Sequence, residues 1–169
     1  MSVLVVLDTN VVVSAGIQPA GHPARIVDAA LAGAIVPVVC PAITTEYVEV
    51  VNRVRFKKWK FPPQWLNALI AGAHLVDQEL PAWPSAGPDP DDLVFLALAH
   101  RTGAVLVTGN IADNPKNIRH GVEVMDPATY VRHLDELGVL ARHGAILPSR
   151  RRPQALAIPR RLRHRSGRG

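Results

Sequence analysis

The feature that most constrains this chain is the run VLVVL at residues 3–7, five apolar residues that end on Asp8. A strand with one face in water alternates apolar and polar side chains. An unbroken, β-branched apolar run is instead the pattern of a strand covered on both faces, as in a parallel sheet. Parallel strands in turn need long crossover connections, usually helical. The carboxylate that ends the run is the second half of the constraint, because an isolated buried charge is costly unless it is paired or hydrogen-bonded.

The rest of the chain supplies the crossovers. Periodicity predicts a helix over 22–33 (HPARIVDAALAG) closing at Gly33, a strand over 35–39 and a helix from Ala42 to about Arg55. That helix carries Ile43, Tyr47, Val50, Val51 and Val54 on one side. A further helix is expected over 63–73, after the Pro62-Pro63 break. Residues 80–90 (LPAWPSAGPDP) hold four prolines and a glycine and read as a loop. Asp91 to Arg101 is then an apolar helix, VLVT (105–108) and VEVM (122–125) are strands, and PATYVRHLDEL (127–137) is a closing helix. Strands alternating with helices imply a doubly wound α/β domain, three-layered, with a central, mainly parallel sheet.

Charge divides the chain in two. The 169 residues carry 19 Lys+Arg and 14 Asp+Glu, yet no acid follows Glu136 and nine arginines lie between Arg142 and Arg168. The body is therefore mildly acidic and the tail strongly basic. We expect a folded domain over 1–138 and a basic, disordered tail over 139–169. Cys40 is the only cysteine, which excludes a disulfide framework and a cysteine-rich zinc site. VLVVL is too short for a signal peptide and no stretch approaches membrane-span length, so a cytoplasmic protein without membrane association is expected.

Each acid has an ordinary structural explanation. Asp8 fits an N-cap or turn, helped by Asn10. Glu46 falls at the border of an apolar helix face, with Glu49 pointing further into solvent. Asp89, Pro90, Asp91 and Asp92 make a standard helix start, although Asp92 shares its face with Phe95, Leu96 and Ala99 and so aims inward. Asp113 sits in a polar turn with Asn110 and the Asn114-Pro115 pair. Taken together, these acids fall where a doubly wound fold brings side chains to one sheet edge. Carboxylates gathered there would raise one another's pKa unless a cation lay among them. Oxygen-only ligation with room for water suits Mg²⁺ or Mn²⁺.

The segments LDTNVVVSA (7–15), PAITTEYVEVVNR (41–53), DPDDLVFLALAHRTGAVLVTGN (89–110) and GVEVMDPATYV (121–131) together resemble the PIN-domain nucleases, the family that includes VapC-type toxins of toxin–antitoxin pairs. The resemblance implies a PIN-like, Rossmann-like fold and a metal-dependent endoribonuclease leaving a 5′-phosphate and a 3′-hydroxyl. Its acidic cluster carries over to Asp8, Glu46 and Asp92, with Asp91 the alternative for the third position. The fourth acid falls on Asp113, since Asn110 stands where many relatives have Asp. On this reading Asp8 and Asp92 bind the metal directly, Glu46 directly or through water, and Asp113 orients a water. Asn10, Ser14, Thr108 and Asn110 support the cluster. A cognate antitoxin and a homodimer are the expected partners. The alternative is a degenerate PIN domain that binds RNA or a protein without cleaving.

RVRFKKWKF (53–61) interleaves five cations with Phe56, Trp59 and Phe61. Arg53, Arg55, Lys57, Lys58 and Trp59 are thus candidate contacts for RNA phosphates and bases, or for a protein partner. The alternative is aromatics packed on the body with the cations extended into water. The arginine-rich tail fits either non-specific RNA affinity or a passive extension.

Overall fold

A computed structural model describes residues 2–143 of the chain. Its centre is a five-stranded sheet of β1 (Leu4–Leu7), β2 (Val36–Val39), β3 (His74–Leu75), β4 (Val105–Val107) and β5 (Val124–Met125). All pairings are parallel and the order is β3-β2-β1-β4-β5. β1 is the central strand, in register with β2 at Leu4–Val36 and with β4 at Val5–Val105. Its Val5, Val6 and Leu7 are at most 1% exposed, as expected of a strand covered on both faces.

Among the described residues seven α-helices complete the layers: α1 (Thr9–Ile17), α2 (His22–Leu31), α3 (Pro41–Val51), α4 (Leu66–Ala71), α5 (Leu93–Thr102), α6 (Pro127–Glu136) and α7 (Val139–Arg142). The chain runs outward from β1 through β2 to β3, then returns through α5 to β4 on the other side of β1. Right-handed crossovers therefore put α5 on the face opposite α1 and α2. In agreement, α5 packs on β1, β2 and β4, while α1 packs on α2 and α2 on α6. The reversal between β1 and β4 opens a crevice beyond their carboxyl ends, where ligands of such sheets bind.

Several local expectations are revised. Residues 9–17, whose VVVSAG run has no helical period, form α1, because Asp8 caps it and its apolar residues bury against α2 and α3. The helix expected from Ala42 to Arg55 stops at Val51. Arg53 is extended and a separate 3-10 helix covers Val54–Trp59, which leaves Val54 76% exposed instead of on the apolar face. The helix expected over 63–73 contracts to Leu66–Ala71, and β3, two exposed residues on the sheet edge, carries no strand pattern that could have announced it. Asp92 falls in a 3-10 turn (Pro90–Asp92) that leads into α5. The fold also continues past residue 138 through α7, whose Val139 is buried against the body. The tail expectation for 144–169 lies outside the described residues. Among the described residues no helix is long and apolar enough to cross a membrane.

Candidate active site

Four elements deliver polar side chains to the crevice. β1 ends on Asp8, which is 6% exposed and caps α1 by accepting the backbone N–H of Asn10 (3.5 Å). The capping explanation is therefore correct, but it leaves most of the carboxylate's capacity for other partners. Thr108, fully buried just after β4, donates its hydroxyl to Asp8 Oδ2 at 2.7 Å, and the Asn10 amide donates to the same oxygen at 3.1 Å. Asn10 also accepts the Gly109 N–H (2.9 Å), and the Asn110 N–H donates to Thr108 (3.1 Å). A Cβ on Gly109 would come within 3.2 Å of Asn10 Oδ1, so glycine lets this turn close on α1.

α3 brings the second acid. Its Tyr47 hydroxyl is bonded to the carbonyl oxygen of Leu7, which fixes the helix against the end of β1. One residue earlier, Glu46 is half-buried and accepts the Thr9 hydroxyl. Thr9, itself 5% exposed, is a site residue that the sequence reading passed over. The available signal was its place between Asp8 and Asn10, three polar residues interrupting an apolar run.

The loop into α5 and the turn after β4 complete the set. Asp89 caps the 3-10 turn by accepting the Asp91 N–H (3.0 Å), as its sequence position implied. Asp92 is half-buried while Asp91 is exposed, in keeping with the inward aim of Asp92. Asp113 closes a short 3-10 turn and accepts the Asn110 side-chain amide. Asp8, Glu46, Asp92 and Asp113 all line one open cleft of about 680 Å³, together with Asn10, Ser14, Asp91 and Asn110. Thr108 lies behind Asp8 rather than in the wall. The cleft also holds Glu49 and Asp89, which the helical wheel and the capping pattern had assigned to solvent and to local structure.

Seven carboxylates thus face a cleft that contains two cations, Arg53 and Arg55. Burial pushes the Asp8 carboxyl above its ordinary value of 3.8, against the opposing hydrogen bond from Thr108, and nearby Asp113 adds to the rise. Glu46 is raised by burial too, in spite of its Thr9 bond. Asp92 is pushed from 3.8 to about 7, by burial first and then by the charges of Asp8, Asp89, Asp113 and Glu46. The hydrogen-bond donors to these carboxylates are neutral hydroxyls, amides and N–H groups. Seven carboxylates against two arginines leave an excess of negative charge in the cleft.

An oxygen-only, electron-rich donor set of this kind suits a hard divalent cation. Among the described residues no three Asp, Glu, His or Cys side chains stand close enough together to hold an ion by themselves. The open, acid-lined cleft leaves room for the waters and substrate phosphate that Mg²⁺ takes beside one or two carboxylates. Comparison with known families gives a match to the PIN-domain model over residues 4–112, which takes in Asp8, Glu46 and Asp92 and stops one residue short of Asp113. No curated protein matches the chain.

Proposed function

The chain belongs to the PIN-domain family, whose members are in general nucleases, and on that premise we propose that it is a Mg²⁺- or Mn²⁺-dependent endoribonuclease. The observation that carries the proposal is the convergence of buried Asp8 with half-buried Glu46 and Asp92 on one cleft, each with a raised pKa. Carboxylates kept in such mutual repulsion cost stability, and a fold that keeps them has a use for the charge.

Asp8 and Asp92 would hold the cation directly, Glu46 directly or through water, and Asp113 would orient a water for in-line attack on the phosphodiester. A divalent cation so held lowers the pKa of a coordinated water and offsets charge developing on the phosphoryl oxygens. The protein's own contribution is positional. Thr108 and Asn10 fix one carboxylate oxygen of Asp8, Thr9 fixes Glu46, and Asn110 fixes Asp113. Burial and the neighbouring carboxylates push Asp92 up to about 7, so near neutrality it would share its time between the protonated and charged forms, and a bound cation would favour the charged one. The products would be a 5′-phosphate and a 3′-hydroxyl.

The biological setting we propose is the toxin of a toxin–antitoxin pair, acting in the cytoplasm as a homodimer and silenced by a cognate antitoxin. A short gene immediately upstream, whose product binds this chain and blocks cleavage, would support that setting.

The test is cleavage of labelled single-stranded RNA by the purified protein with Mg²⁺, with Mn²⁺ and with EDTA, beside Asp8→Asn. Metal-dependent cutting that disappears in a folded Asp8→Asn variant supports the assignment. Failure of that variant to fold would make Asp8 a structural cap and remove the metal site. Mn²⁺ binding without cutting of any RNA would identify a degenerate, non-cleaving domain.

A further inference from the structure

The acid cleft has a cationic neighbour. From residue 50 to residue 76 the sequence contains no acid, while Arg53, Arg55, Lys57, Lys58 and Lys60 crowd into eight positions. Among the described residues the one salt bridge joins Arg25 to Asp135, and Arg53 and Arg55 face the acids of the cleft without closing to that distance. The 3-10 helix of this segment stands between two depressions. Arg53, Arg55 and Phe56 line the acid cleft, whereas Trp59 and Lys60 line a second groove of about 510 Å³.

That groove is walled by aromatic and proline side chains, Trp59, Phe61, Pro62, Pro63 and Trp65, and Asp28 is its one acid. The aromatics of the segment do different jobs. Phe56 is 8% exposed, belongs to the core and packs against both Trp59 and Phe61 (centroids 6.2 and 5.3 Å). Phe61 lies so close to Gly16 that a Cβ there would be 2.5 Å from its ring. Trp59 remains 36% exposed, with Lys58 Nζ 4.1 Å from its ring centre. An exposed indole with a cation over one face, on a segment rich in lysine and arginine, combines base stacking on its other face with phosphate attraction. A protein surface would have to bring its own acids to the same place, whereas a nucleic acid strand carries one phosphate per base.

We infer that this groove is a subsite for an unpaired nucleobase of the RNA strand whose neighbouring phosphate lies in the acid cleft. Trp59 is the stacking platform, and the cations from Arg53 to Lys60 are the track for the phosphates between the two. The inference rests on the ribonuclease reading of the cleft. Six residues of 3-10 helix span roughly 12 Å, a distance that a short flexible strand crosses. A duplex keeps its bases stacked inside and has none to offer, so the subsite selects single strands.

The test uses the full chain carrying Asp8→Asn, so that binding is read without cleavage, and a labelled short oligoadenylate followed by fluorescence anisotropy. Adding Trp59→Ala should weaken binding by about 5- to 150-fold, and Trp59→Phe should recover most of the loss. Lys57→Gln with Lys58→Gln should flatten the dependence of log affinity on log salt by roughly 0.7 per charge removed. A 5-iodouridine oligonucleotide should crosslink to Trp59. Unchanged affinity in Trp59→Ala, or an equal loss on duplex and single-stranded RNA, overturns the inference. So does loss of self-association by Trp59→Ala in sedimentation with RNA binding intact, which would make the groove a protein interface. If the wild-type chain cleaves RNA and Trp59 proves irrelevant, the subsite alone fails. If Trp59-dependent binding is found and no divalent metal gives cleavage, the ribonuclease reading alone fails.

Discussion

The raised pKa of Asp92 makes the metal-free protein's stability depend on pH in a direction opposite to that of ordinary acid denaturation. A carboxyl titrating near 3.8 in the unfolded chain and at about 7 in the fold binds its proton more tightly in the fold. Between those two values the folded state holds more protons than the unfolded state, so stability falls as pH rises. The penalty is absent below 3.8 and complete above about 7. At about 1.4 kcal/mol per pH unit the interval sets a ceiling of about 4 kcal/mol. Asp92 is only half-buried, and solvent screening reduces this to about 1–2 kcal/mol. About two-thirds of the interval lies above pH 5, so for a domain of this size the Tm is higher by about 1–5 °C near pH 5 than near pH 8. Asp8 and Glu46, also raised by burial, act in the same direction. The lowered carboxyl of Asp126, bonded to the Thr129 N–H, loses its contribution only below the ordinary carboxylate value, outside this window. The assay is a thermal melt series from about pH 5 to 8 in EDTA and again with Mn²⁺, on wild type and Asp92→Asn. We expect a declining Tm in EDTA, a flatter and higher profile with Mn²⁺, and a flatter profile in Asp92→Asn even in EDTA. A wild-type Tm that rises with pH over this range in EDTA, or an unaltered slope in Asp92→Asn, would refute the argument.

Two further substitutions probe the supports of the site. Thr108→Val removes the 2.7 Å hydrogen bond to Asp8 and the acceptor of the Asn110 N–H at a fully buried position, and should cost about 1–3 kcal/mol in urea denaturation. It should also lower the cleavage rate at saturating metal, because one Asp8 oxygen is no longer oriented. Gly16→Ala places a methyl 2.5 Å from Phe61 Cζ, forcing the ring to move, and should destabilise by about 1–3 kcal/mol. A changed tryptophan emission would accompany it, since Trp59 and Trp65 share that groove, and unchanged emission with unchanged stability would contradict the packing.

The sequence by itself determined the class of the fold and pointed to three of the acids that line the cleft. The unbroken apolar run at 3–7 required a strand covered on both faces, and the alternation of strand and helix patterns required a doubly wound sheet. Asp8 at the end of β1, Glu46 at the edge of an apolar face and the inward aim of Asp92 were legible because each depends on local period or on strand ends. Capping was legible too, at Asp89, since it is written in neighbouring residues. What only the tertiary structure decided concerns surfaces made by elements distant in the chain. Helix α1 exists in spite of its β-branched run because Asp8 caps it and α2 and α3 cover it. Glu49 and Asp89 belong to the cleft because α3 and the loop before α5 meet there, which no helical wheel of one segment can show. Thr9 reaches Glu46 across 37 positions, and Thr108 reaches Asp8 across 100. Val54 left its predicted apolar face because Arg53 is extended and the helix stopped at Val51. Local periodicity records which side of one element is apolar, whereas a charge cluster is a sum over several elements and takes form only when the sheet order brings their ends together.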